Sequence, residues 1–137
     1  MLLIAEYLED TTKPVIEEAE NGQKNLYIEG IFMQSEIVNR NKRIYPKAVL
    51  DREVKRFIEE RVKTRRALGE LNHPPRPFVD PSEASHRIVE LREDGNNYYG
   101  KALILNTPKG QIVRGLIEGG TQIGVSSRGL GTVKRRK

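Results

Sequence analysis

Ser85-His-Arg-Ile-Val-Glu-Leu-Arg-Glu-Asp-Gly-Asn-Asn-Tyr-Tyr-Gly-Lys-Ala-Leu-Ile-Leu105 sets two apolar, β-branched runs on either side of a polar turn. Ser85–Leu91 and Tyr98–Leu105 read as strands, and Glu93-Asp94-Gly95-Asn96 carries the turn chemistry of a hairpin tip. Upstream, Leu26–Val38 is another strand, rich in β-branched and aromatic residues, and Ala67–Leu71 is a short one. Between them Pro46 opens a helix. Leu50, Val54, Phe57, Ile58 and Val62 recur there at helical spacing through a charged background, to about Arg65. Downstream, Thr107-Pro108 starts a second helix with Ile112, Val113, Leu116 and Ile117 as its inner face, and Gly119-Gly120 stops it. Ile123 and Val125 then form a last short strand. This order predicts an α+β fold: a mainly antiparallel sheet, or a small and incomplete β-barrel, with two helices packed outside.

Residues 1–25 are acidic (Glu6, Glu9, Asp10, Glu17, Glu18, Glu20) and broken by Pro14 and Asn21-Gly22. They read as a mobile arm with at most a short strand at Leu2–Ala5. Residues 26–133 are expected to fold as one domain, and 134–137 form a basic tail. A chain of 137 residues suits a single modest core. It has no cysteine, so disulfides and thiolate metal sites are excluded. No apolar run approaches the roughly 20 residues of a membrane span, and Met1–Ala5 is too short for a secretory signal. The expectation is a soluble intracellular protein. The net charge of +5 owes four charges to Lys134, Arg135, Arg136 and Lys137. No aromatic residue interleaves with them, which argues against nucleic acid as the main partner.

The chemistry concentrates in two places. In Thr121-Gln-Ile-Gly-Val-Ser-Ser-Arg-Gly-Leu-Gly131, adjacent hydroxyls Ser126 and Ser127 follow an apolar strand among Gly124, Gly129 and Gly131. Glycine lets backbone N–H groups converge on a ligand, but a serine nucleophile also needs a base. His73 sits in Gly69-Glu-Leu-Asn-His-Pro-Pro75, at a strand end stiffened by Pro74, Pro75, Pro77 and Pro81. A turn-filling histidine and two ordinary strand hydroxyls are the plain alternative. Three groups are candidates to orient His73: Glu70, Asp80 and His86. Glu70 stands three residues away, an offset that points to the other face of a strand. Asp80 and Glu83 suit loop caps. No cofactor is implied, and no metal, because the histidines and acids lack ligand spacing.

Leu26-Tyr-Ile-Glu-Gly-Ile-Phe-Met-Gln34, Val38-Asn-Arg-Asn-Lys-Arg43 with Tyr45-Pro46, Ala67-Leu-Gly-Glu-Leu-Asn-His-Pro-Pro-Arg76, Val79-Asp-Pro81 and Gly124-Val-Ser-Ser-Arg-Gly-Leu-Gly131 stand in this order. Together they resemble the prohead core proteases of T-even-type tailed phages. The resemblance implies a fold like that of the herpesvirus assemblins, with 26–133 as a protease domain. It also implies a serine endopeptidase inside the prohead, in the host bacterial cytoplasm, that cleaves scaffold or core proteins, the major capsid protein and itself. Ser126 matches the nucleophile and His73 the general base. Ser127, Arg128 and Gly129 match the oxyanion side, with a structural salt bridge as the alternative for Arg128. Cleavage after glutamate in apolar-X-Glu words is implied too, and the chain holds Ile4-Ala5-Glu6, Ile16-Glu17-Glu18 and Ile88-Val89-Glu90. Arg40, Lys42, Arg43, Arg76 or Arg128 could line a site for that glutamate.

Two departures stand out. His86 precedes the serine, whereas the second histidine of the assemblins follows it, and the family runs on beyond the serine motif. Either the barrel is incomplete, or its missing strands come from a partner, a second copy included. The rival functions are a scaffold-binding domain without a working triad and, behind it, a basic-tailed nucleic-acid module.

Overall fold

The computed structural model describes residues 2–8, 12–36, 44–71, 79–121 and 125–131, with the backbone alone described for residues 2–8, 12 and 125–131. The hairpin is the centre of the sheet. β5 (Ala84–Asp94) and β6 (Asn97–Ile104) pair antiparallel down to Asp94↔Asn97. Gly95 takes a φ of +62° at the first of the two turn residues, the position that type II′ hairpins give to glycine. β3 (Lys24–Gln34) lies on the far side of β6 and β4 (Leu68–Glu70) on the far side of β5.

One element departs from expectation here. Thr12–Glu18, read from its acids as part of an arm, is strand β2 and pairs with β3 from Thr12↔Gly30 to Glu18↔Lys24. Charge misled because β2 is an edge strand, and an edge tolerates lysine, proline and glutamate. The sheet order is β2-β3-β6-β5-β4, and all its pairings are antiparallel. Leu2–Leu8 forms β1, longer than the expected Leu2–Ala5. It pairs with β7 (Val125–Gly131) in a separate two-stranded ribbon beside β3.

The strands alternate as a sheet with one buried face should. Leu26, Ile28 and Phe32 of β3 join Tyr98, Ala102 and Ile104 of β6 and Leu91 of β5 in one core. Helix α1 (Lys47–Phe57) adds Leu50 and Val54 to it, and helix α2 (Pro108–Glu118) adds Val113. Each such aliphatic side chain contributes about 1.5–3 kcal/mol on burial. The first helix begins as the sequence predicts, with Pro46 as its N-cap residue, and Glu36 accepts the Lys47 N–H at 2.7 Å. Its last turn, Ile58–Val62, widens to a π turn, and Arg65 at φ +60° closes it.

The second helix is capped as expected by Thr107, whose Oγ1 accepts the Gly110 N–H at 3.0 Å. Its inner face is narrower than expected. Val113 is buried and Ile117 packs on the core, but Ile112 and Leu116 face outward. Gly110 takes their place on the inner side: a Cβ there would lie 1.9 Å from the Leu105 carbonyl oxygen, just past β6, and 3.1 Å from the Ser85 oxygen of β5. The helix therefore sits close, rotated onto its smallest residue.

A polar cluster ties the first helix to the hairpin tip. Lys47 Nζ donates to the Gly95 carbonyl at 2.7 Å and pairs with Glu93 at 3.1 Å. The fully buried Tyr98 hydroxyl donates to Asp51. Burial, reinforced by that carboxylate, pushes the Tyr98 hydroxyl up to about 12, while the bond from Tyr98 holds Asp51 below the usual carboxylate range.

Candidate active site

The serine motif lies on β7. Its backbone runs antiparallel to β1 with Tyr7 opposite Ser126, Glu6 opposite Ser127, Ala5 opposite Arg128 and Ile4 opposite Gly129. The two hydroxyl residues and the arginine thus occupy consecutive register positions in the middle of a strand, with glycines following. In an antiparallel pair every second residue of a strand directs its N–H to the neighbour. Part of the N–H set along Ser126–Gly131 therefore faces β1, and the rest faces away.

His73, Arg40, Lys42, Arg43 and Arg76 lie outside the described residues. The residues that flank the His73 segment are described. β4 leads into it and ends at Glu70, which pairs with Ala84 at the start of β5. On the return side Asp80 accepts the Ser82 N–H at 3.0 Å and the Ser82 hydroxyl at 2.7 Å. It thereby caps the 3-10 turn Pro81–Glu83 that feeds β5, the loop-cap role expected for it. Glu83 forms an ion pair with Lys109 at 3.6 Å instead of capping. Both flanks of the segment thus converge on one end of the sheet, at the β4/β5 edge.

That end is tightly knit. Ser85 is fully buried; its hydroxyl lies 2.9 Å from His86 Nδ1 and its carbonyl accepts the Leu105 N–H at 3.0 Å. Thr107 Oγ1 reaches the Ala84 carbonyl at 2.5 Å, which fixes the second helix to the same spot. The His86 imidazole lies over Gly69 of β4, where a Cβ would fall 2.1 Å from Nε2. Burial lowers the His86 pKa to about 4, so the ring is neutral at neutral pH. Sequence reading picked His86 only as a possible partner of His73. Its contacts are with its neighbour Ser85 and with the strand that precedes His73. The signal for this contact was Gly69, a residue without a side chain in a short strand. Glu70, half-buried at the end of β4, also has interactions of its own. Among the described residues no group of histidines and acids could hold a metal ion, and no helix is long and apolar enough to cross a membrane.

The architecture, an antiparallel α+β sheet with its serine-bearing strand in a separate ribbon, matches a solved structure closely. The capsid assembly protease of bacteriophage T4 superposes with a TM-score of 0.94 at 41% identity, over 98% of this chain and 84% of that one. The family model described as prohead core protein serine protease matches residues 4–137, and the chain belongs to that family. The prohead core protein protease of Enterobacteria phage T4 is 52% identical over 110 residues, which is 79% of this chain. The chain spans about half (52%) of the length of that curated relative.

Proposed function

We propose that this chain is a serine endopeptidase of phage head assembly, acting inside the prohead in the host bacterial cytoplasm. Ser126 Oγ attacks the scissile carbonyl carbon while His73 takes its proton. Collapse of the tetrahedral adduct breaks the C–N bond, and His73 returns the proton to the leaving amine. Water then hydrolyses the acyl-serine by the same path in reverse. Backbone N–H groups around Ser127–Gly129 serve the oxyanion, with Arg128 beside them. Scaffold or core proteins and the major capsid protein are the substrates. Cleavage follows glutamate, held by cations drawn from Arg40, Arg43, Arg76 and Arg128.

Membership of the family carries this reading. The local folding supports it: a glycine-rich serine strand is held in register against β1, and the flanks of the His73 segment are anchored by Glu70↔Ala84 and the Asp80 cap. A base held on rigid supports keeps the geometry that proton transfer needs. Among the candidate orienting groups, Asp80 and His86 already hold Ser82 and Ser85, so each would have to serve two partners.

The test is to incubate the chain with a core-protein substrate beside Ser126→Ala and His73→Ala, each checked for intact folding. Loss of cleavage by about 10³-fold or more in both variants is expected. Undiminished cleavage by Ser126→Ala removes the nucleophile assignment. A folded wild type that binds core protein without cutting it establishes the scaffold-binding alternative.

A further inference from the structure

We propose that β1 is a resident occupant of a peptide-binding edge on β7, one that an extended substrate peptide displaces when it pairs along that edge. The proposal rests on the reading of Ser126 as nucleophile and adds how access to it is controlled. Leu2–Leu8 runs antiparallel along Val125–Gly131 without a break in register, and Tyr7 and Glu6 stand opposite Ser126 and Ser127. Extended peptides bind exposed strand edges by this same main-chain pairing, with affinity from the ladder and selectivity from alternate side chains. The strand beside the serine motif is thus already filled by the chain's own residues.

Two features make the occupant exchangeable. Among the described residues the ribbon has two strands, and the other five strands form a sheet with its own pairings. A two-stranded pair is marginally stable by itself, so β1 can be released while the five-stranded sheet stays intact. The ladder also ties up alternate N–H groups of β7, the strand whose donors the chemistry needs. A strand tethered in the same chain competes at an effective concentration on the order of millimolar. It therefore holds off weak peptides and yields to tight or locally concentrated ones.

The experiment uses the full chain and a fluorescein-labelled synthetic peptide with the sequence of Leu2–Leu8. Ala5→Pro removes one N–H from the centre of β1 and disfavours its pairing. Binding to Ala5→Pro is expected to be at least about tenfold tighter than to the unmodified chain, because the competitor is weakened. Equal affinity overturns the proposal. The second measurement leaves β1 unaltered. In Ser126→Ala, which cannot consume the peptide, hydrogen exchange at the amides of residues 2–8 is expected to speed up at saturating unlabelled peptide while the β5–β6 amides stay protected. Unchanged exchange at residues 2–8 overturns the proposal as well. A peptide bound more tightly by Ala5→Pro yet cut by no form of the chain overturns the nucleophile assignment and leaves the strand exchange standing.

Discussion

The five-stranded sheet and the two-stranded ribbon are paired separately. The sheet is covered by two helices, closed at its tip by Lys47, Asp51, Glu93 and Tyr98, and knit at its other end by Ser85, His86 and Thr107. The ribbon has backbone pairing between β1 and β7 and lies beside β3. On the strand exchange proposed above, rigid support and the serine chemistry are divided between two parts of one small fold.

The largest expected effect is on the proposed cleavage after glutamate, applied to the chain itself. Ile4-Ala5-Glu6 lies in the ribbon, Ile16-Glu17-Glu18 in the edge strand β2, and Ile88-Val89-Glu90 in the sheet interior on β5. Glu17 is further held by Lys101 at 2.5 Å. A bond is cut only when its strand opens, and opening energies range from near zero at loosely held segments to the global value in core strands. Chains beginning at Tyr7 should therefore accumulate first and those beginning at Ala19 later. Cleavage before Leu91 should be slower than the first by a factor on the order of 10³ or more. Mass spectrometry of the incubated chain reads the order. Early products beginning at Leu91 would erase the distinction between ribbon and sheet.

Next is a matched pair of glycines on α2. Alanine at Gly115 meets nothing within 4 Å and should stabilise by about 0.5–1 kcal/mol through helix propensity. The same propensity gain applies at Gly110, but there the new Cβ would sit 1.9 Å from a backbone oxygen that cannot swing aside. Overpacking wins, and Gly110→Ala should cost about 3 kcal/mol in urea unfolding. Equal effects at the two positions would mean the helix floats on the sheet.

The sequence displayed the sheet well where apolar residues alternate and turns carry glycine, as in the hairpin. It hid β2, because an edge strand with Lys13, Pro14 and Glu17 looks like solvated chain. It also mis-set the second helix. Periodicity marked Ile112 and Leu116 as inward, yet close approach at Gly110 rotates them outward, and a missing side chain leaves no hydrophobic signal. At the site, motif words marked Ser126 and His73, but no local pattern could pair β1 with β7 across more than a hundred residues. Long-range register comes from the whole fold. The His86–Gly69 contact left one trace, the missing side chain of Gly69 in a short strand.

A smaller effect tests the knit end of the sheet through pH. The folded His86 ring has its pKa lowered to about 4 from the ordinary 6.5, so the unfolded chain binds the proton more readily. The neutral ring's contribution is complete above about pH 6.5 and is lost as pH falls toward 4. The full shift corresponds to about 3 kcal/mol, and some solvent access at the half-buried residue brings the expectation nearer to about 2 kcal/mol. His86→Gln should lose about that much less stability than the unmodified chain between pH 7 and pH 4.5. Parallel curves for the two proteins would show that the ring is solvated and does not press on Gly69.

The smallest expected effect bears directly on whether the ribbon is separable. Proline in a central strand removes a ladder bond and cannot be absorbed. Ala102→Pro, in the middle of β6 between β3 and β5, should therefore abolish stable folding. Ala5→Pro makes the same covalent change in β1, opposite Arg128. If β1 is held chiefly by its own ladder, the global urea midpoint should shift by less than about 1 kcal/mol, because the lost pairing belongs to a unit that already opens on its own. A midpoint shift approaching that of Ala102→Pro would mean that ribbon and sheet unfold as one body. Displacing β1 would then cost as much as unfolding the protein, and the serine strand would have to receive its substrate along another edge.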